Sequence, residues 1–137
     1  CLQFELTESA LVPNMEESSS FLSLVKSKGI KVVIDDYGTG YSSLSYLSVY
    51  PVDGVKIDRS FIHNMTSSTT SKHIIKSSID LAHELGYIVT AEGVQEENEL
   101  QDLENLNCDL AQGFFISKPI PHENVVEWIR HYQKEKS

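Results

Sequence analysis

Short β-rich runs alternate along the chain with longer amphipathic ones. Residues 2–6, 30–35, 54–57, 87–91 and 113–116 are apolar or β-branched enough to be strands buried on both faces, the pattern of a parallel sheet. Between them, residues 18–28, 42–48, 70–85, 96–106 and 123–134 read as helices. The clearest spacing is that of Ile75, Ile79, Ala82 and Leu85, which share one helical face. Gly29 and Gly86 fall where a helix should stop before the next strand. Repeated βα units imply right-handed crossovers and either a doubly wound sheet or a (β/α)₈ barrel. Five units are too few to close an eight-stranded barrel of about 250 residues, and the chain begins inside an apparent strand. The expectation is therefore a single α/β domain over residues 1–137, present only in part. No internal repeat is visible, and the run Ser67-Ser68-Thr69-Thr70-Ser71 reads as a loop leading into a helix.

Composition narrows the function. The 137 residues are 40% hydrophobic and 23% charged, as in a globular protein with a packed core. No apolar run approaches the roughly 18 residues of a membrane span, and the start has neither a basic region nor a cleavage signal, so a cytoplasmic location is expected. Eleven Lys and Arg against twenty Asp and Glu give a net charge of −9, which disfavours binding to a nucleic-acid duplex or an anionic membrane. An anionic ligand would need a local cluster of positive charge or a bound cation, and acidic residues gathered at one place attract a hard divalent cation. Cys1 and Cys108 lie far apart without zinc-site spacing and read as plain thiols.

The candidate chemistry lies at the C-terminal ends of the predicted strands. Glu5 and Glu8 follow the first, Asp35 and Asp36 the second, Lys56 and Asp58 the third and Glu92 the fourth, while Gln112 opens the last. Parallel strands bring all those ends to one rim, where α/β folds assemble active sites from separate loops. Two adjacent carboxylates ending an apolar strand are costly to bury unpaired and repel each other. A divalent cation removes both objections. Each residue alone has a structural alternative. Asp35-Asp36 before Tyr37-Gly38-Thr39-Gly40 could be a solvated turn, and Lys56 an ion-pair partner. Glu5 and Glu8 could cap a following helix, and Glu92-Gly93 and Gln112-Gly113 could be turns. The five histidines, His63, His73, His83, His122 and His131, fall away from the rim, which argues against a histidine base or a zinc site.

Five runs, in order, resemble the signature segments of the EAL domain family. They are Glu5-Leu6-Thr7-Glu8-Ser9, Asp35-Asp36-Tyr37-Gly38-Thr39-Gly40-Tyr41-Ser42-Ser43-Leu44, Val55-Lys56-Ile57-Asp58-Arg59-Ser60-Phe61, Ala91-Glu92-Gly93-Val94, and Gln112-Gly113-Phe114-Phe115-Ile116-Ser117-Lys118-Pro119. The resemblance implies a (β/α)₈, TIM-like barrel of which this chain is the C-terminal portion. It further implies a phosphodiesterase that hydrolyses the bacterial second messenger cyclic di-GMP to linear pGpG with one or two Mg²⁺ or Mn²⁺ ions. Glu5, Asp35 and Asp36 match metal ligands of the family, Lys56 the lysine beside the nucleophilic water, and Glu92 and Gln112 residues that keep ordered water in place. Glu8 matches the glutamate that anchors the loop at residues 37–44, which resembles a segment coupling dimerisation to metal binding; Tyr37 stands where Phe is commoner.

The Glu-Ala-Leu motif that names the family and an asparagine ligand are not found in these residues. The expectation is a parent domain that is a phosphodiesterase, the output domain of a larger sensor protein, and a fragment that is inactive and self-associates or dimerises. The alternative is a degenerate domain that binds cyclic di-GMP, or a protein partner, without turnover.

Overall fold

The computed structural model describes residues 2–7, 10, 15–37 and 48–135. Its elements are β1 (Gln3–Thr7), α1 (Met15–Ser27), β2 (Lys31–Tyr37), β3 (Gly54–Ile57), α2 (Arg59–Met65), α3 (Thr69–Glu84), β4 (Ile88–Glu92), α4 (Glu97–Asn105), β5 (Leu110–Gln112), a 3₁₀ turn at His122–Asn124, and α5 (Val125–Glu135). All four strand pairings are parallel, and the strands lie side by side in the order β1-β2-β3-β4-β5. A doubly wound sheet reverses its order at a switch point, whereas a barrel adds each strand to the same side of the last. The uninterrupted order is that of consecutive barrel units.

Alternation along the strands separates two faces. Val32, Ile34, Val55, Ile57, Val89 and Ala91 are at most 3% exposed. They form one core with Leu22 of α1, Ile62 and Met65 of α2, Ile75, Ile79 and Ala82 of α3, and Leu103 of α4. Burying each of the larger aliphatic side chains is worth about 1.5–3 kcal/mol. On the other face, register aligns Glu5 with Val33, Gly54 and Ile88, Thr7 with Asp35, Lys56 with Thr90 and Leu110, and Glu92 with Gln112. That face is polar towards the C-terminal strand ends, while Ile88 and Leu110 at the strand starts stay largely exposed.

The helix stops occur where glycine permits them. Gly86 has φ 79°, and the hydrogen bonds Gly86 N–H to His83 O (2.9 Å) and Tyr87 N–H to Ala82 O (2.9 Å) close α3 in a Schellman motif. Gly29, at φ 75°, follows α1, its N–H donating to Lys26 O at 2.9 Å.

Three expectations need correction. The last strand is Leu110–Gln112 rather than 113–116; Gly113 begins a turn in which Ile116 and Ser117 both donate to its carbonyl, so Gln112 ends the strand instead of opening it. The short helix α2 follows β3 directly, where no helix was expected. β2 continues through Asp36 to Tyr37. The expected helix at 42–48 falls almost wholly outside the described residues. Among the described residues, no helix is long and apolar enough to cross a membrane.

Candidate functional site

The rim depends on an irregularity in β2. Ile34 pairs with Val55 and Tyr37 with Ile57, so three steps along β2 match two along β3. The extra residue is a bulge opposite Lys56, and Asp36 takes the left-handed conformation there, at φ 57°. Successive residues of a regular strand point to opposite faces. The bulge overrides this rule: carboxylate oxygens of Asp35, Asp36 and Glu92 all lie within 4.8 Å of one another. It also turns Tyr37 into the helix-packed core, where it is 6% exposed. A non-glycine residue in this conformation is strained, and such strain clusters at functional sites.

Lys56 sits at the centre of β3 and is 3% exposed. Its Nζ donates to Glu5 Oε1 and Oε2 at 3.0 and 2.9 Å and meets Glu92 Oε1 at 2.5 Å. Burial works against the ammonium, but the hydrogen bonds to Glu92 and Glu5 outweigh it and hold the Lys56 pKa above the usual lysine value. Glu92 shifts upward too, first through burial and then through the neighbouring Asp35, against the opposing pull of Lys56. Lys56 therefore stays charged at neutral pH, between a carboxylate of β1 and one of β4.

Glu5 and Glu92 thus share the Lys56 ammonium, and Glu92 also lies beside Asp35 and Asp36. The arrangement leaves surplus negative charge and only oxygen donors, a set that fits a hard divalent cation such as Mg²⁺ or Mn²⁺ and not zinc. In the described structure Glu92 completes the close trio with the aspartates, while Glu5 is held by Lys56. Gln112 pairs in register with Glu92 at the same rim and is exposed. Asp58 is drawn elsewhere: it caps α2, accepting from Ser60 N–H at 2.8 Å, and the Ser60 hydrogen bonds hold its pKa low. Glu8 and residues 38–44 lie outside the described residues.

The histidines stand apart from the trio; His63 pairs with Glu99, His83 with Asp109, His122 with Glu123 and His131 with Glu135. The Cys108 thiol is pushed up to about 11 by burial and is unreactive at neutral pH. Sequence reasoning passed over one buried charge, Glu99. Its only sequence signal was the capping spacing Glu96-x-x-Glu99.

Five parallel strands in unbroken order, with acidic residues of three strands converging at one rim beside a buried lysine, define an α/β barrel-type domain whose rim carries an acidic cluster that could hold a cation. The EAL domain family matches residues 1–119. The chain belongs to that family. It is 39% identical over 132 residues to the cyclic di-GMP phosphodiesterase NbdA of Pseudomonas aeruginosa, an alignment covering 96% of this chain and 17% of that protein. The solved EAL domain of Mycobacterium smegmatis DcpA superposes with a TM-score of 0.87 at 39% identity, over 94% of this chain and 58% of that one. BlrP1 of Klebsiella pneumoniae, solved at pH 9.0 as a manganese and cyclic di-GMP complex, gives 0.79 at 32% identity over 85% of this chain and 30% of that chain. The chain thus spans a minor part of NbdA and somewhat over half of the DcpA structure.

Proposed function

We propose that these residues form the C-terminal part of an EAL domain whose parent protein hydrolyses cyclic di-GMP to pGpG in a reaction dependent on Mg²⁺ or Mn²⁺. The observation that carries this reading is the trio Asp35, Asp36 and Glu92, whose glutamate pairs with the buried Lys56. The phosphodiesterase relative and the manganese complex of BlrP1 support the substrate and the metal class. One or two bound ions would supply charge neutralisation at the phosphodiester and acidify the attacking water.

Glu5, Asp35 and Asp36 would hold the cation. Lys56 Nζ supplies a fixed positive charge beside the attacking water, and its pairing with Glu5 and Glu92 orients it. Glu92 joins the lysine to the aspartate pair. Gln112, uncharged and next to Glu92 in register, orders water at the rim. Glu8 would anchor the loop at 37–44.

The open polar face, with Glu5 and Gln112 exposed, and the partial coverage of the DcpA domain argue that the rest of the parent domain completes the site. The test is a pGpG assay on the parent domain and on these 137 residues alone, with Mn²⁺ and with a chelator. Turnover is expected only for the parent domain with metal. Undiminished turnover with the chelator would contradict the metal, and binding of cyclic di-GMP without any turnover would favour the receptor reading.

A further inference from the structure

The geometry points to Glu99 as a positioning residue that clasps the loop after β4 to α2 and thereby fixes Glu92 against Lys56 and the aspartate pair; this rests on the function proposed above. Glu99 is 1% exposed, in the first turn of α4. A capping box needs only its bond to the Glu96 N–H, present here at 3.2 Å. Glu99 does more. The same oxygen accepts from the Gln95 N–H at 2.7 Å, before the helix begins, and the other lies 3.0 Å from Nδ1 of His63 on α2. Burial works against its charge, but the Gln95 bond and then His63 hold its pKa below the usual range, so the clasp is ionised at neutral pH.

The loop between Glu92 and Glu96 is gripped from two further sides. Gly93, at φ 73°, lies so close to Arg59 at the start of α2 that a Cβ there would fall 2.5 Å from Arg59 Cγ. The Val94 N–H donates to Gln112 O, and its carbonyl accepts from Phe115, each at 3.1 Å. Gly113 approaches until a Cβ would stand 2.1 Å from that carbonyl. Since α2 follows the strand bearing Lys56 and the loop follows the strand bearing Glu92, the Glu99–His63 contact ties the two strand ends together. Displacing a catalytic group by about 1 Å can cost on the order of 100-fold in rate.

The test compares wild type, Glu99→Ala, Glu99→Gln and His63→Ala in the parent domain, well below their unfolding temperatures. It reads kcat, KM for cyclic di-GMP, and Mn²⁺ affinity from the paramagnetic resonance signal of free Mn²⁺. Glu99→Ala should lower kcat at least about 10-fold with KM within about 2-fold, and weaken Mn²⁺ binding about 5-fold. Glu99→Gln keeps an acceptor for the two N–H groups and should recover most of both. A folded Glu99→Ala protein with wild-type kcat and Mn²⁺ affinity, or a Gln variant as impaired as the Ala one, would overturn the proposal. Should Glu99→Ala not fold, His63→Ala decides, since its ring is 60% exposed and its loss opens only one end of the clasp: reduced kcat and Mn²⁺ affinity support the clasp, unchanged values refute it. A wild-type domain with neither Mn²⁺ binding nor turnover would sink the functional reading itself, and the positioning role with it.

Discussion

A buried ammonium is costly unless carboxylates surround it, and Lys56 has two, from strands on either side. That pairing alone would suit a purely structural ion pair. The aspartates next to it change the reading, because a structural pair has no need of two further carboxylates within 4.8 Å of Glu92. If Lys56 acts on the attacking water, its contact strengthens in the transition state. Lys56→Ala should then lower kcat of the parent domain at least about 10-fold while KM moves no more than about 3-fold. A change confined to KM in steady-state kinetics would make it a phosphate clamp instead. The residue types and their order at the strand ends were legible in the sequence. The bulge was not, because nothing in Ile34-Asp35-Asp36-Tyr37 announces an extra residue opposite β3. Glu99 stayed hidden for a related reason: its partners Gln95 and His63 are fixed by tertiary packing rather than by spacing.

At the scale of elements, one device recurs. Asp53, just before β3, accepts from the Val32 N–H on β2, and Asp109, just before β5, accepts from the Val89 N–H on β4, each at 2.8 Å. Each aspartate satisfies a strand-start donor on the neighbouring strand and helps fix its register. Burial alone would raise the Asp53 pKa, but the Val32 bond and then Lys26 bring it below the ordinary range. A carboxylate with a depressed folded pKa contributes stability that is present above its unfolded value and lost as pH falls through the folded one. In chemical denaturation of the parent domain, Asp53→Asn should therefore be less stable than wild type at pH 7, and the gap should shrink below about pH 4. An equal gap at both pH values would remove Asp53 from the acid transition. Propensity misplaced β5 because Phe114, Phe115 and Ile116 look like a strand, yet the packing of Gly113 on Val94 makes them a turn. α2 escaped notice because seven residues with two buried positions, Ile62 and Met65, are too few to show a period.

For the whole molecule, repeated βα units left a doubly wound sheet and a barrel equally open. The ordered signature segments favoured the barrel, and the strand order agrees with them. The two faces of the sheet divide the labour: the helix-packed face carries the stability, and the polar face carries charge to one rim. Under the proposed function, the aspartates of this rim hold the divalent cation with which the parent domain hydrolyses cyclic di-GMP. The most direct measurement is the rate of pGpG formation by the parent domain and its Asp35→Ala variant at saturating Mn²⁺, with circular dichroism to confirm that both are folded. The variant should lose at least about 100-fold in turnover, since the cation that Asp35 would help to hold would supply both the nucleophile and the charge stabilisation. A folded Asp35→Ala protein that turns over at the wild-type rate would contradict the account.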